Sequence, residues 1–331
     1  MKSKNSISAI IACYKDEQAI PIMYEELKKV FHKINVDYEI IFVNDASPDN
    51  SQQAIHNLSL ADDKVIGILH SRNFGSQMAF RSGMEISSKD SVVLLDGDLQ
   101  DPPELISKFY EKWREGYEVV YGRRVKREMN KLWEIQYKIF YKIFALFSYI
   151  KIPRDAGDFS LIDKKVVRWL LKFPERDLFM RGLRAYVGFK QIGVNYIRPE
   201  RRFGKTTNSF YKNIDWAKKG IFSFSNTPLT IMTTLGLILM LISIIITLGL
   251  ILMLISIIIV IVVATLRILY PDIAPKGSTT ILITIISFGS LNLLALGIIG
   301  EYIAKILIEV KGRPRLIRQS ITRNGKEKEI E

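Results

Sequence analysis

Four short apolar runs in the first 100 residues, separated by segments of helix length, constrain the fold of this chain most strongly. The runs are ISAIIAC (7–13), YEIIFVND (38–45), KVIGILH (64–70) and SVVLLD (91–96). Helices are predicted between and after them, at Ile20–Phe31, up to Leu58, at Gly75–Ile86 and from Pro102 onward. Apolar strands that alternate with helices predict a parallel, doubly wound α/β sheet, in which ligands bind outside the carboxyl ends of the strands.

Acidic side chains stand at two of these strand ends. Asp45 closes the second run, and Asp96 closes the fourth, where Asp98 and Gln100 follow within four positions. An Asp-x-Asp pair after a buried strand can hold Mg²⁺ or Mn²⁺, which prefer carboxylate oxygens and bridge to phosphate oxygens. Asp96, Asp98 and Gln100 are therefore candidate metal ligands. The alternative is a polar loop in which Asp101 caps the next helix, and the motif by itself does not decide between them.

Two long stretches without a charged residue, 220–266 and 277–300, dominate the rest of the chain. Each exceeds the ~20 apolar residues that cross a bilayer, so we expect a multi-pass protein of the cytoplasmic membrane. The basic segment 305–326 is expected on the cytoplasmic side, together with the N-terminal domain. The net charge of +13 fits lipid headgroups and phosphates. No zinc spacing or RNA-binding motif accompanies the charge, which argues against nucleic acid, and a single cysteine excludes an internal disulfide.

The first charge-free stretch contains a direct repeat, LGLILMLISIII at 235–246 and again at 248–259. At ~1.5 Å per residue, a helix over 229–266 would measure roughly 57 Å, against a hydrocarbon core of ~30 Å. Two short spans would fit by length, but both ends of the chain are expected on one side, which requires an even number of spans. We therefore favour one overlong helix. Ahead of it, the basic stripe and aromatics of 129–150 predict an interfacial helix or an ordinary core helix with a solvated face.

Eight motifs follow one another along the chain in a specific order. They are IIACYKDEQAI, IIFVNDASPDNS, LHSRNFGSQMAFRSGM, LLDGDLQDPPELI, VYGRR, DAGDFSLIDKKVV, PERDLFMRGL and LGIIGEYIAKILIEVKGRPRLI. In this order they resemble the bacterial polyprenyl-phosphate glycosyltransferases, relatives of dolichyl-phosphate mannose synthase in glycosyltransferase family 2. The resemblance covers Ile7 to about Ile317, apart from the repeated segment. It implies a GT-A domain that uses a nucleotide sugar and a divalent metal to glycosylate a polyprenyl phosphate with inversion.

The charge pattern and the resemblance together divide the chain into segments with expected roles. The segments are 1–128, the nucleotide-sugar-binding part of the GT-A domain; 129–228, the acceptor-side part with amphipathic interfacial helices; 229–270, transmembrane helix 1; 271–280, an external loop; 281–304, transmembrane helix 2; and 305–331, a basic cytoplasmic tail. The membrane itself is an expected partner. A homo-oligomer and a flippase for the lipid-linked sugar are further expected partners.

Site residues are implied by the same motifs. The implied contacts to the nucleotide sugar, preferably a UDP-sugar, are Asp45, Arg72, Asn73, Asp96 and Asp98. Asp96 and Asp98, with Gln100, are the implied ligands of Mg²⁺ or Mn²⁺. Arg123 and Asp158 complete the catalytic set with Asp98. A phosphate monoester is already mostly anionic at neutral pH, so the acceptor needs positioning more than a strong base. The role of Asp158 therefore stays open between base, orienting group and metal holder.

The basic segment YIRPERRFGKTTNS (196–209) is the implied receiver of the acceptor phosphate. Its candidates are Arg198, Arg201, Arg202 and Lys205. Guanidinium groups suit bidentate phosphate binding, although a basic surface drawn to anionic headgroups would look alike. Relatives carry a Lys-Tyr pair where Thr207 and Asn208 stand here, which leaves Lys205 as a substitute. A second departure is Ala46, where relatives often have glycine, because alanine disfavours positive φ.

Two other functions fit parts of the pattern. A processive polysaccharide synthase shares the catalytic domain, but the nearest match to its Gln-x-x-Arg-Trp motif, KVVRW at 165–169, lacks the glutamine. A non-catalytic membrane scaffold with a dead transferase domain is opposed by the intact carboxylates. The residues do not fix the sugar. Glucose from UDP-glucose is the first expectation, because the resemblance is strongest to the bactoprenol glucosyltransferases.

Overall fold

The computed structural model describes residues 5–125, 156–175, 178–199, 227–246 and 278–330, with the single residues 153, 203 and 265. The chain forms two compact units. The first comprises Met1–Phe224 and Gly312–Glu331, and the second comprises Ser225–Lys311. The interfacial helix expected at 129–150 and the second copy of the repeat lie outside the described residues.

The first unit is built on a sheet to which the described residues contribute nine strands. The strands are β1 (Ser6–Cys13), β2 (Asp37–Asn44), β3 (Val65–His70), β4 (Ser91–Asp96), β5 (Val119–Arg124), β6 (Ala156–Asp163), β7 (Gln191–Tyr196), β8 (Arg318–Arg323) and β9 (Lys326–Glu329). They lie in the order β7-β5-β6-β4-β1-β2-β3-β8-β9. The four central strands, β4-β1-β2-β3, pair in parallel, which confirms the predicted α/β sheet. β6 runs antiparallel to both β4 and β5.

Strand register brings the predicted carboxylates to one edge. Ala12 on β1 pairs with Val43 on one side and with Asp96 on the other. Asp45 comes two positions after Val43, so the two aspartates lie at the carboxyl ends of β2 and β4, the parallel strands on either side of β1. The ligand-binding edge of a doubly wound sheet is located there.

Helices cover both faces of this sheet. They are α1 (Ala19–Ile34), α2 (Ser51–Ala61), α3 (Ser76–Ile86), α4 (Leu105–Arg114), α5 (Lys164–Lys172) and α6 (Met180–Tyr186). Side chains of β1 alternate between two cores, because successive residues of a strand point to opposite faces. Ile11 packs with Leu27 of α1 and Phe109 of α4, whereas Ile10 packs in the core that contains Phe80 of α3.

Gly83 lets α3 approach β1 closely. A Cβ at this position would overlap the side chain of Ile10. We expect Gly83→Ala to lower the free energy of unfolding by about 1–2 kcal/mol, because overpacking costs ~1–3 kcal/mol and outweighs the ~1 kcal/mol by which alanine favours a helix. Chemical denaturation checks this. If the clash is the cause, Gly83→Ala combined with Ile10→Ala loses less than the sum of the single losses, and simple additivity would contradict it.

The C-terminal segment, predicted as a basic tail, contains the two strands β8 and β9. β8 pairs antiparallel with β3, and β9 pairs antiparallel with β8. Arg318 ties this hairpin to α3: its guanidinium donates to the hydroxyl of Ser82 at 2.9 Å and to the backbone carbonyl of Ser82 at 3.0 Å, and it pairs with Glu85. The hairpin therefore covers the edge of β3, which would otherwise present unpaired backbone groups.

The second unit contains α7 (Thr227–Ile246) and α8 (Ser278–Val310). Across the residues that the structure describes, no helix combines the length and apolar character needed to cross a membrane. The prediction of a multi-pass protein of the cytoplasmic membrane is therefore wrong, and the transmembrane helices predicted at 229–270 and 281–304 are not supported by the described residues. A span needs ~20 consecutive apolar residues. The predictions were drawn from the absence of charge, and absence of charge along a stretch does not by itself establish a spanning helix; residues 247–264 and 266–277 lie outside the described residues.

Candidate active site

Strained turns follow the carboxyl ends of three central strands. Lys15, Ala46 and Leu99, which follow β1, β2 and β4, have φ angles of 63°, 53° and 58°. Residues other than glycine rarely adopt such φ angles, which cost of order 1–3 kcal/mol. Residues with this strain cluster at ligand sites. Ala46 thus adopts the positive φ that its side chain disfavours, so the substitution of the usual glycine does not prevent the turn.

Asp45 anchors the loop that follows β3. Its Oδ1 lies 2.8 Å from His70 Nδ1 and accepts a hydrogen bond from the backbone N–H of Phe74 at 2.8 Å, while Oδ2 accepts from the N–H of Gly75 at 2.7 Å. The loop carries Arg72 and Asn73. The Arg72 guanidinium lies 4.1 Å from the centre of the Phe74 ring and donates to the Asn73 carbonyl. The structure therefore brings Asp45, Arg72 and Asn73 together.

The Asp-x-Asp segment forms a tight turn at the end of β4. The backbone N–H of Gln100 donates to Asp98 Oδ1 at 3.1 Å, and the Gln100 side-chain amide donates to the Pro199 carbonyl at 3.1 Å. Arg198 Nη2 lies 3.8 Å from Asp96 Oδ2 and 3.7 Å from Asp98 Oδ2. One guanidinium thus faces both carboxylates, and the predicted acceptor-side Arg198 meets the predicted metal ligands.

Carboxylates are crowded at this edge. Burial, followed by repulsion from Asp101 and Asp98, raises the pKa of Asp96 to about 8, and burial also raises the pKa of Asp101. Water reaches 36% of the Asp96 side chain, which moderates the repulsion without reversing it. Like charges held together in this way are stabilised by a cation. The site is therefore prepared to receive positive charge.

The donor set fits a divalent metal whose coordination the substrate completes. Within the described ranges, no group of three or more His, Cys, Asp or Glu residues is arranged to hold a metal ion. Asp96 and Asp98 nevertheless present carboxylates to the same guanidinium. Mg²⁺ is typically bound by one or two carboxylates together with substrate phosphates. A pair of aspartates with Gln100 beside them matches that requirement.

Arg124, which the motifs did not single out, faces the carboxylates, and Arg123 does not. Arg123 is exposed, and its Nε donates to Asn195 Oδ1 at 2.7 Å. Arg124 Nε donates to the Tyr196 hydroxyl at 3.2 Å, and that hydroxyl donates to Asp101 Oδ1 at 3.0 Å. Asp101 is almost fully buried. Arg124, Tyr196 and Asp101 therefore form a network beneath the Asp-x-Asp turn.

Tyr196 gives this network a measurable alkaline signature. Burial, followed by the charge of Asp101, raises the pKa of Tyr196 to about 12 from 10.0. The folded protein keeps the phenol proton where the unfolded chain loses it, so stability falls as pH rises between about 10 and 12. We expect Tyr196→Phe to cost about 1–2 kcal/mol at pH 7, because Asp101 loses a donor, and to flatten the alkaline fall. Denaturation midpoints measured against pH check the loss at pH 7 and the weaker alkaline dependence. If the stability of Tyr196→Phe falls with rising pH as steeply as that of wild type, the assignment of this pH dependence to Tyr196 is contradicted.

Asp158 on β6 is held by two neighbouring elements. Arg181 of α6 donates from Nε to Oδ1 at 3.3 Å and from Nη2 to Oδ2 at 3.2 Å, and Gln77 of α3 donates to Oδ2 at 3.1 Å. Burial, the largest single influence, would raise the pKa of Asp158, but the charge and hydrogen bonds of Arg181 together with Arg184 and Gln77 outweigh it, and the pKa is lowered. Asp158 is therefore an ion-paired carboxylate in this structure.

Arg184 forms hydrogen bonds with the same strand, β6. Its guanidinium donates to the Ser160 hydroxyl at 2.8 Å and to the Gly157 carbonyl at 3.0 Å, on either side of Asp158. Burial lowers the pKa of Arg184 to about 10, so it stays charged at neutral pH. Neither Arg181 nor Arg184 was predicted from the motifs. The remaining candidates for the acceptor phosphate, Arg201, Arg202 and Lys205, lie outside the described residues.

The fold and site together define a class of protein. A largely parallel sheet that collects aspartates and arginines at its carboxyl edge is suited to binding a phosphate-containing ligand through a cation. The profile of Glycosyl transferase family 2 matches residues 8–171.

Relatives match almost the whole chain. The uncharacterized glycosyltransferase YkcC of Bacillus subtilis (strain 168) is 37% identical, over 94% of this chain and 93% of its own. The SfII prophage-derived bactoprenol glucosyl transferase of Shigella flexneri is 34% identical, over 94% of this chain and 96% of its own. A crystal structure of mannosyl-3-phosphoglycerate synthase from Rubrobacter xylanophilus superimposes with a TM-score of 0.42 at 14% identity, over 65% of this chain and 71% of its own. That last likeness is too weak to argue from.

The chain belongs to glycosyltransferase family 2. The resemblance drawn from the eight motifs is confirmed, as are the GT-A-like α/β fold and the prediction that the protein is a glycosyltransferase.

Proposed function

We propose that this chain transfers a sugar from a nucleotide sugar to a polyprenyl phosphate, with inversion at the anomeric carbon. The observation that carries the proposal is the convergence of Asp96, Asp98 and Arg198 at the carboxyl edge of the sheet. Similarity to a bactoprenol glucosyl transferase over 94% of the chain supports the acceptor class. Glucose, from UDP-glucose, is the sugar that we test first. A homo-oligomer and a flippase partner stay predictions.

The two ends of the donor would bind on two sides of the site. Asp45 holds the loop with Arg72 and Asn73, which we assign to the nucleoside side. Asp96 and Asp98 lie on the diphosphate side. Mg²⁺ or Mn²⁺ bound by these two aspartates, with Gln100 beside them, would supply positive charge to the departing diphosphate.

The chemistry requires no proton acceptor. An oxygen of the polyprenyl phosphate forms a bond to the anomeric carbon while the bond from that carbon to the nucleoside diphosphate breaks, and the electron pair leaves with the nucleotide. The second pKa of a phosphate monoester is near ~6, so the attacking oxygen is already anionic at neutral pH. The protein has to position the two phosphates and offset their charge.

Arginines are the residues that perform this task in our proposal. Arg198 faces both aspartates and would contact phosphate as the ligands enter. On β5 we assign the phosphate-side role to Arg124, which faces Asp101, in place of the exposed Arg123. Arg201, Arg202 and Lys205 follow Arg198 in sequence and remain proposed contacts of the acceptor phosphate.

Nucleotide release by the purified full-length protein tests the proposal. The assay offers UDP- and GDP-sugars with Mg²⁺ or Mn²⁺, with and without undecaprenyl phosphate dispersed in detergent. We expect release of one nucleotide that depends on the lipid phosphate, together with a sugar-linked lipid product. Release that is equal with and without lipid would overturn the acceptor assignment. Binding of nucleotide without any release from the panel would favour a non-catalytic scaffold.

A further inference from the structure

Gln77 joins three elements of the site. Its side-chain amide donates from Nε2 to Asp158 Oδ2 at 3.1 Å, and its Oε1 accepts from the backbone N–H of Met180 at 3.0 Å. The side chain is buried, with 9% exposure for the residue. Gln77 of α3 thereby connects the strand that carries Asp158 with the start of α6. Both ends of its amide are used, which fixes the orientation of the amide.

The Asp158 carboxylate has the partners of an orienting group. The Arg181 guanidinium donates from one edge to both oxygens of Asp158, and the Gln77 amide donates to one of the same oxygens. A bidentate pair of this kind fixes the plane of the guanidinium. Because its pKa is lowered, Asp158 is a poor proton acceptor at neutral pH. Arg181 keeps 27% of its side chain exposed, so the side chain that Asp158 holds is partly open to solvent.

Gln77 also lies close to the loop on the nucleoside side. α3 begins at Ser76, directly after the backbone N–H groups of Phe74 and Gly75 that Asp45 holds. Gln77 is the second residue of this helix. Gln77 therefore connects this loop, along the backbone, with Asp158 and its partner Arg181.

We propose that Gln77 is a positioning residue for sugar transfer, which acts by orienting Asp158 and, through it, the guanidinium of Arg181. Asp158 in turn holds Arg181 and does not accept a proton during the reaction. The inference rests on the proposed transferase function, which it deepens, and no relative's name assigns a role to Gln77. Among the described residues, the Gln77 amide donates to Asp158 on β6, and the charged groups that act on Asp158 or on which it acts include Arg181 and Arg184 on α6 and, at longer range, Asp96 on β4.

Two substitutions at Gln77 separate positioning from packing. Gln77→Met keeps the length of the side chain and removes both hydrogen bonds; we expect kcat to fall roughly 10- to 100-fold at every pH, with KM for the nucleotide sugar within about threefold. Gln77→Glu places a carboxyl group against Asp158. When protonated, it can donate to Asp158 and accept from Met180 as glutamine does; when ionised, it repels Asp158.

The expected signature is therefore a pH-dependent rescue. Activity of Gln77→Glu relative to wild type should be near unity at low pH and should decline as pH rises, whereas the Gln77→Met ratio stays low and flat. A Gln77→Glu ratio that does not change with pH, or a Gln77→Met variant within twofold of wild type, would overturn the proposal. A loss of activity in Gln77→Met that merely follows a lower thermal midpoint would also overturn it, because packing would then be the cause.

Asp158→Asn tests the second half of the proposal. An asparagine oxygen still accepts from Arg181, so we expect a loss of about 10- to 100-fold with the same pH profile as wild type. Disappearance of an acidic limb from that profile would identify Asp158 as a base instead. If wild type shows no lipid-dependent release, the acceptor assignment fails, and the variants are then compared on the slow release of nucleotide to water. The two failures are thereby distinguished.

Discussion

Replacement of Asp98 by asparagine is expected to slow sugar transfer about 10³-fold. The carboxylate is 6% exposed and lies 3.7 Å from the Arg198 guanidinium, beside Asp96. We propose that it holds the cation that offsets the charge of the departing diphosphate, and asparagine offers a neutral oxygen of the same shape. Groups that act on charge developed in the transition state are typically worth 10²- to 10³-fold. We therefore expect kcat to fall by about 10³-fold, or roughly 4 kcal/mol.

Lipid-dependent nucleotide release measures this loss, with Asp63→Asn as the matched control. Asp63 is an exposed aspartate that follows α2, so the same change of charge is made away from the site. The stability of Asp98→Asn should be no lower than that of wild type, because the change removes one of the carboxylates that repel Asp96. A variant that retains more than a tenth of wild-type kcat would contradict the role of Asp98. If Asp98→Asn fails to fold, our interpretation that like charges destabilise the site is contradicted as well.

The central half of the fold follows from the sequence because each buried strand is a continuous apolar run between polar turns. The run 91–96 is β4 with the same bounds, and 64–70 differs from β3 by one residue. Once the strands are parallel, their carboxyl ends must share an edge, so Asp45 and Asp96 could be placed there without a structure. The pairing Ala12–Asp96 realises this expectation.

The choice between Arg123 and Arg124 could not be made from the sequence. Alternation along a strand assigns neighbours to opposite faces, and a single shift of register reverses the assignment. The pairing of β5 with β6 is irregular between Tyr121 and Arg123. Arg124 therefore faces Tyr196 and Asp101, while Arg123 faces Asn195.

Hydrogen bonds between residues far apart in the chain could not be predicted from the sequence either. Gln77 and Asp158 are 81 positions apart, and Arg318 reaches Ser82 across 236 positions. The strand RQSITR is short and mostly polar, and it pairs along the edge of the sheet. Its sequence therefore cannot be told apart from that of an unstructured polar tail. The charge-free stretches led to predicted membrane spans, because they were treated as helices with matching bounds. Absence of charge does not determine where a helix begins or ends. The bounds of α8, Ser278–Val310, differ accordingly from the predicted span 281–304.

Replacement of Trp113 by alanine is expected to lower the free energy of unfolding by about 4 kcal/mol. Trp113 of α4 is 1% exposed, and its indole N–H donates to Asp163 Oδ2 at 2.9 Å. Asp163 ends β6 and caps α5 by accepting from the backbone N–H of Lys165. Alanine would leave a large cavity in the core and would remove a donor from a buried carboxylate.

Two further variants divide this loss into its parts. Trp113→Phe retains most of the packing and removes the indole N–H, so we expect it to cost about 1–2 kcal/mol. Trp169→Ala makes the same change as Trp113→Ala at a side chain that is 51% exposed, where we expect about 0.5 kcal/mol or less. Urea denaturation gives all three values. Equal losses at Trp113 and Trp169 would mean that burial does not govern the effect. A Trp113→Phe loss as large as that of alanine would assign the stability to the hydrogen bond with Asp163, because the aromatic packing would then contribute little.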